Sequence, residues 1–397
     1  MKYSTTIEPV GTVAPMISRR GAISPFVVMD IMRAADERCQ SGHDIIHMEV
    51  GQPGTPAPLL AREAIKTAVD RDLLGYTAAL GIESLRERIA RHYRDAHGLD
   101  ISPKRVVVTA GSSAAFVLAF LALFDEGERI LLPQPGYPCY RNIVRALGLL
   151  PVELPVGPNE RWMPSAQLLA AHAADNAAPA GLLFASPANP TGTMISDAAL
   201  AQICAYCRDQ GIVLIADEIY HGLTYDGPAR TALAFHDGAI VVNSFSKYYS
   251  MTGWRVGWMV VPQHLVRGIE RLAQNFYISP AAVSQVGALA AFDAIEELEA
   301  NKAVYAANRE LLLEELPRAG FSKLAPADGA FYFYADVSEM TDDSGAFARR
   351  ILHEAGVAVT PGIDFDPERG HRFIRFSYSG TTKDMAEAAK RLRAWRR

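Results

Sequence analysis

The sequence predicts an α/β protein with a mostly parallel seven-stranded sheet in a large domain flanked by helices, joined to a smaller α+β domain. Three observations predict it. From Pro103 onward, short apolar runs rich in β-branched residues alternate with helical runs, the order that βαβ units of a parallel sheet impose. Small-residue or acidic turns follow several of these runs, where a chain leaving a buried strand must change direction. Beyond Leu316 the alternation stops, and short strands mix with helices in an α+β arrangement.

The elements can be taken in order. Ser24 to Gly42 reads as a helix with Ser24 as N-cap, Pro25 at the first helical position and Gly42 as a stop. Ile45 to Val50 reads as a short strand that reaches the turn-rich Gly51-Gln52-Pro53-Gly54. Two helices follow, Pro58 to Val69 and Ile82 to His97, with Gly75-Tyr76-Thr77 in the loop between them. The seven strands are then Arg105–Thr109, Arg129–Leu132, the proline-flanked edge Pro151–Pro155, Gly181–Ala185, Ile212–Ala216, Ala239–Val242 and Trp258–Val261. Helices are expected over Ala114–Phe124 and Ser196–Gln210. A long helical stretch runs from Ser279 toward Leu316, with a break expected near Ala300. Strands Phe321–Lys323, Ala330–Asp336, Val357–Thr360 and Phe373–Tyr378, with helices Ser344–Ala355 and Lys383–Trp395, compose the smaller unit. The expected division is 1–52 and 291–397 for the two parts of the small domain and 53–290 for the large one.

Bulk properties exclude several function classes. In 397 residues, 49% are hydrophobic and 21% charged, and the net charge is −5. Such a chain has no concentration of cations with which to bind nucleic acid or an anionic membrane. The apolar run Ala114 to Phe124 is too short to span a bilayer, and Met1 to Val10 lacks a signal-peptide core, so a cytoplasmic protein is expected. The four cysteines make no disulfide framework. Cys204-Ala205-Tyr206-Cys207 matches C-x-x-C but lies in a helical run without a second pair, and reads as two helix-face thiols. His43 and His47 have helical metal-ligand spacing but fall on a strand, where they do not converge on one ion; no metal is expected.

The chemistry concentrates at the ends of the strands. Ser244-Phe245-Ser246-Lys247 follows a buried strand, and Arg255 lies eight residues further on. A partly desolvated lysine favours its neutral, nucleophilic amine and can form a Schiff base. Hydroxyls and a guanidinium fork beside it are what a phosphate needs, so the stretch suggests pyridoxal phosphate. Gly111-Ser112-Ser113 stands between a strand and a helix N-terminus, which binds anions or serves as an ordinary turn. Asn189 is stiffened by Pro187 and Pro190. Asp217 and Glu218 end the most apolar strand, either as a salt-bridge or capping pair or, for Asp217, as the partner of a cationic ring nitrogen. Open α/β sheets bind ligands at the carboxyl ends of their strands, which makes one site of these positions.

Four motifs in this order, Ala188-Asn189-Pro190-Thr191-Gly192, Asp217-Glu218-Ile219-Tyr220, Ser244-Phe245-Ser246-Lys247 with Arg255, and Arg375-Phe376-Ser377-Tyr378, resemble the class I aminotransferases. These are fold-type I pyridoxal phosphate enzymes, and the likeness is greatest to the aspartate/alanine branch. The resemblance implies transfer of an amino group between an L-amino acid and a 2-oxo acid by a ping-pong mechanism. It implies that Lys247 carries the cofactor, Asp217 holds its ring nitrogen, Asn189 and Tyr220 contact its phenolic oxygen, and Tyr137 stacks on its ring. Gly111, Ser112, Ser113, Ser244, Ser246 and Arg255 would form the phosphate cradle. Arg375, with Gly51 and Asn189 beside it, would bind the substrate carboxylate, and Tyr76 would reach the site of a second subunit in a homodimer. A carbon–sulfur β-lyase on the same fold is the alternative, and a non-catalytic effector-binding domain a remote one. The side chains that would select the donor are not marked by any motif.

Overall fold

The computed structural model describes residues 17–18 and 20–395; the Met1 to Val10 reading, and the extreme ends of the outer ranges 1–52 and 291–397, lie outside them. The strands, in chain order, are β1 Ile46–His47, β2 Val106–Thr109, β3 Arg129–Gln134, β4 Leu150–Pro155, β5 Gly181–Ala185, β6 Val213–Asp217, β7 Ile240–Ser244, β8 Gly257–Val260, β9 Lys323–Leu324, β10 Tyr332–Asp336, β11 Val357–Ala358, β12 Thr360–Pro361 and β13 Phe373–Ser377.

The large sheet has seven strands in the order β2-β8-β7-β6-β5-β3-β4. All neighbours are parallel except β8, which is antiparallel to both β2 and β7. The reason is local. No helix intervenes between β7 and β8, so the chain turns back beside the strand it has just left instead of crossing over. Period-two alternation divides the strands between two cores: Leu182, Leu214 and Val241 face one, Leu183, Ile215 and Val242 the other. Both faces are therefore covered, as a parallel sheet requires.

A second unit holds the antiparallel sheet β12-β13-β10-β9 and the parallel pair β1–β11. Its core includes Phe331, Phe333, Phe376, Leu352 and Leu392. The helix Ile295–Arg318 runs from one core to the other: Leu298 belongs to the large-sheet core, Tyr305 and Leu312 to that of the second unit. Among the described residues, no helix is long and apolar enough to cross a membrane.

Several expectations need correction. The first helix, α1, spans Val27–Gln40, and Ser24 does not cap it. The carboxylate of Asp364 does, accepting the Val27 and Val28 N–H groups at 3.1 and 3.2 Å, a tertiary contact that local sequence cannot signal. The expected strand over Ile45–Val50 shrinks to two residues, because its parallel partner, β11, is equally short. Helices Pro138–Ala146, Ala166–Asp175 and Val266–Phe276 went unanticipated. The break in the long helical stretch falls between Ala291 and Ile295, ahead of Ala300.

Candidate active site

At the carboxyl ends of the large sheet, facing the second unit, lies a cavity of about 600 Å³. Eleven sequence-predicted residues line it: Gly51, Ser112, Ser113, Tyr137, Asn189, Asp217, Tyr220, Ser246, Lys247, Arg255 and Arg375. Three others do not. Gly111 is the N-cap of the helix Ser112–Leu123, with φ +78°, and a Cβ there would come within 2.8 Å of the Arg255 guanidinium carbon; only glycine lets that side chain lie across the helix N-terminus. Ser244 turns its hydroxyl to the Val256 carbonyl at 3.1 Å and to Ser246 at 2.9 Å, so it supports Ser246 from behind. Tyr76 is 84% exposed and does not line the cavity.

Asp217 is the last residue of β6, and its carboxylate is buried. The hydroxyl of Tyr140 donates to one of its oxygens, and the Ile219 N–H to the other at 3.0 Å. Burial pushes Asp217 up to about 6, while Tyr140, Ile219 and the charge of Lys247 act in the opposite direction. Lys247 donates to the Gly51 carbonyl. Burial, with the like charges of Arg375 and Arg255, brings its ammonium down to about 8, so a free amine is accessible near neutrality. Arg255, held at φ +50°, donates to Thr252 O at 2.9 Å and reaches the end of the cavity marked by Ser112 and Ser113.

The opposite wall comes from the second unit. Arg375, in β13, is buried and donates to Asn189 Oδ1 at 2.8 Å and to the Glu49 carbonyl, while its Nε has no partner. Its guanidinium lies 4.4 Å from the Tyr332 ring centroid and 4.7 Å from that of Phe365. Tyr332 and Tyr220 share a hydroxyl hydrogen bond of 2.7 Å. A Cβ on Gly51 would strike the Tyr332 hydroxyl, so glycine is what leaves this corner open. The first turn of α1 closes the mouth with Phe26, Val28 and Met29. Tyr140, Tyr332 and these α1 residues were missed from sequence. The one available signal was the alternation in β10, which puts the hydroxyl-bearing Tyr332 and Tyr334 on one face and Phe333 on the other.

A buried carboxylate, a depressed lysine, a helix N-terminus with an arginine, and a second buried arginine can together hold a phosphorylated aldehyde and a carboxylate-bearing amine. The family model for aminotransferase class I and II matches residues 43–392. The chain belongs to this aminotransferase family. Valine–pyruvate aminotransferase of Mycobacterium tuberculosis is 48% identical over 383 residues, covering 96% of this chain and 98% of that one. The crystal structure of an aminotransferase from the same organism superposes with TM-score 0.93 at 48% identity, covering 96% and 99% of the two chains. That of aspartate aminotransferase from Thermus thermophilus with maleate gives TM-score 0.90 at 28% identity, covering 96% and 100%. This aminotransferase therefore transfers amino groups between amino acids and 2-oxo acids, and the comparisons give the carbon–sulfur lyase alternative no support.

Proposed function

We propose that this aminotransferase takes its amino group from a neutral, apolar amino acid and exchanges it with pyruvate. The observation that carries the reading is the composition of the cavity. Its two arginines stand apart in role: Arg255 lies with Ser112 and Ser113, while Arg375 lies with Asn189 and Gly51, and Phe26, Val28, Met29 and Ile219 add apolar surface. One guanidinium for one carboxylate, beside apolar side chains, suits a substrate whose side chain carries no charge. The 48% identity to a valine–pyruvate aminotransferase supports the same choice.

The residues present fit pyridoxal phosphate. Lys247 offers an amine to its aldehyde, and Asp217 a carboxylate to its ring nitrogen. Ser112, Ser113, Ser246 and Arg255 form a cradle for its phosphate, with Gly111 and Ser244 behind them. Tyr137 offers an aromatic face, and Tyr220 and Asn189 offer polar groups. When bound, the cofactor would supply an electrophilic carbon for the amino group and a ring that withdraws the charge left as Cα loses its proton. Arg375 would grip the α-carboxylate and so orient the Cα–H bond toward Lys247. Lys247 Nζ, once free, would take that proton and return it to the acceptor carbon. The tyrosine Tyr140 would keep Asp217 ionised and aimed, and α1 would exclude water.

In the same reading the enzyme is a cytoplasmic homodimer, and the domains are 1–52 with 291–397, and 53–290. Leu73 is 96% exposed and Phe276 57%, near Tyr76 84%, and the Thr77 N–H reaches Ser279 Oγ at 3.3 Å, so the two apolar segments adjoin. Such a patch suits a second copy, to whose site Tyr76 would be given. A screen of amino donors against pyruvate and 2-oxoglutarate, read by mass spectrometry, tests the substrate choice. Valine-like or alanine-like donors with pyruvate should turn over fastest, with parallel double-reciprocal lines. Preference for aspartate would overturn the choice, and ammonia release without transfer would overturn transamination.

A further inference from the structure

We propose that Cys39 is an activated thiol that accepts low-molecular-weight disulfides, set up by His47 and Glu49 on the surface of the second unit and coupled through Glu49 to Arg375. Transamination uses neither Cys39 nor His47. Cys39 is exposed in the last turn of α1, and its Sγ lies 3.9 Å from His47 Nε2. His47, on β1, has its other nitrogen, Nδ1, 2.7 Å from Glu49 Oε1. The Glu49 side chain is fully buried, and its second oxygen has no partner.

A buried carboxylate in that position demands a cation, and His47 is the group bonded to it. The Glu49 hydrogen bond raises His47 to about 9, against the opposing effect of burial. Because the folded value lies above the free one, the pair is complete below about pH 6.5 and lost as pH rises through about 9. Near neutrality His47 therefore turns an N–H of a charged imidazolium toward Cys39 Sγ, 3.9 Å away. Carboxylate, imidazole and thiol stand in the order in which an oriented cation activates a nucleophile. The neighbouring charges are engaged elsewhere: Arg38 with His353 at 3.0 Å, and Arg391 with Asp44 and Glu387. The other cysteines are less exposed, and burial pushes Cys139 and Cys204 up to about 11 and Cys207 to about 12.

The step is thiol–disulfide exchange. The Cys39 thiolate attacks one sulfur of the disulfide R–S–S–R; a Cys39–S–S–R bond forms, the original S–S bond breaks, and RS⁻ leaves and takes a proton from water. Cys39 is oxidised and the small disulfide reduced, so no further oxidant is needed. The Glu49 carbonyl accepts hydrogen bonds from Arg375 and, at 2.8 Å, from Thr360 Oγ1. An adduct that displaces His47 leaves the Glu49 carboxylate unpaired, and the strain falls on the residue that positions Arg375. This coupling rests on the substrate role proposed for Arg375; the thiol chemistry does not.

The test uses the holoenzyme with oxidised glutathione, read by peptide mass spectrometry, and Ellman's reagent for rates. The adduct is expected on Cys39 and absent from Cys39→Ser, and to form at pH 7 faster than on free glutathione. His47→Gln, a change on a side chain 40% exposed, should slow labelling at pH 7 by about tenfold, through loss of the cation beside the sulfur. Labelling no faster than that of free glutathione, or an unchanged rate in His47→Gln, would overturn the proposal. The adduct should raise KM for the amino donor severalfold, with recovery on adding dithiothreitol; an unchanged KM in fully labelled enzyme would remove the coupling.

Discussion

The two walls of the cavity hold their polar groups over very different distances along the chain. On the wall made by the large sheet, Asp217 and Lys247 end or follow adjacent parallel strands, and part of the support is local: Asp217 accepts from Ile219, and Ser246 is held by Ser244, although Tyr140 reaches Asp217 from 77 residues away and Lys247 reaches the Gly51 carbonyl. On the wall made by the second unit, Arg375 is bonded to the carbonyl of Glu49, 326 residues away, and α1 is capped by Asp364, 337 residues from Val27. The first wall is rigid because adjacent buried strands fix it. The second exists only when distant segments meet, so it can vary in what it accepts while the chemistry opposite is unchanged.

The sharpest break of this comparison is Lys247→Ala. If the large-sheet wall carries the proton transfer, turnover should fall by at least about a thousandfold, the upper range for loss of a positioned general base. Borohydride should also cease to fix the cofactor to the chain. The thermal midpoint should hold, because a buried ammonium is costly to keep. Turnover within tenfold of the parent would move the chemistry to another group.

Next in size is Arg375→Lys, on the second wall. The charge remains, but the fork that matches a carboxylate is lost, along with the bond to Asn189 or to Glu49. A charged hydrogen bond contributes about 1.5–3 kcal/mol. KM for the donor should therefore rise by about ten- to a hundredfold, with a smaller change in kcat. A kcat defect at unchanged KM would mean that the carboxylate is bound elsewhere.

The difference between the walls also explains what could be read from sequence. Asn189, Asp217, Lys247 and Arg255 stand at strand ends in short motifs, and the structure gathers them around one cavity. Their partners were hidden for a physical reason. Tyr140 lies in a nine-residue helix that begins at Pro138 and was not anticipated, and its hydroxyl meets Asp217 across 77 residues. Tyr332 looks like any core aromatic of a strand until folding brings it to Tyr220, 112 residues earlier. The α1 cap shows the same thing in reverse: Ser24 has the right chemistry for a cap, and Asp364 has the right place.

Asp364 gives the smallest and most specific test. Its carboxylate accepts two N–H groups at the start of α1, while its backbone carbonyl accepts from Arg141 at 2.6 Å. Asp364→Ala removes the first pair and keeps the second, so the cap is separated from the link to the large sheet. Loss of a cap costs about 1 kcal/mol, a fall in Tm of about 1–2 °C for a chain of this size. The Phe26–Met29 turn that closes the cavity would fray, and KM for an apolar donor should rise a few-fold while kcat holds. Because the large-sheet wall is untouched, the half-reaction rate at saturating donor should not change. A fall in that rate would show that α1 does more than enclose the substrate, and that the two walls act as one.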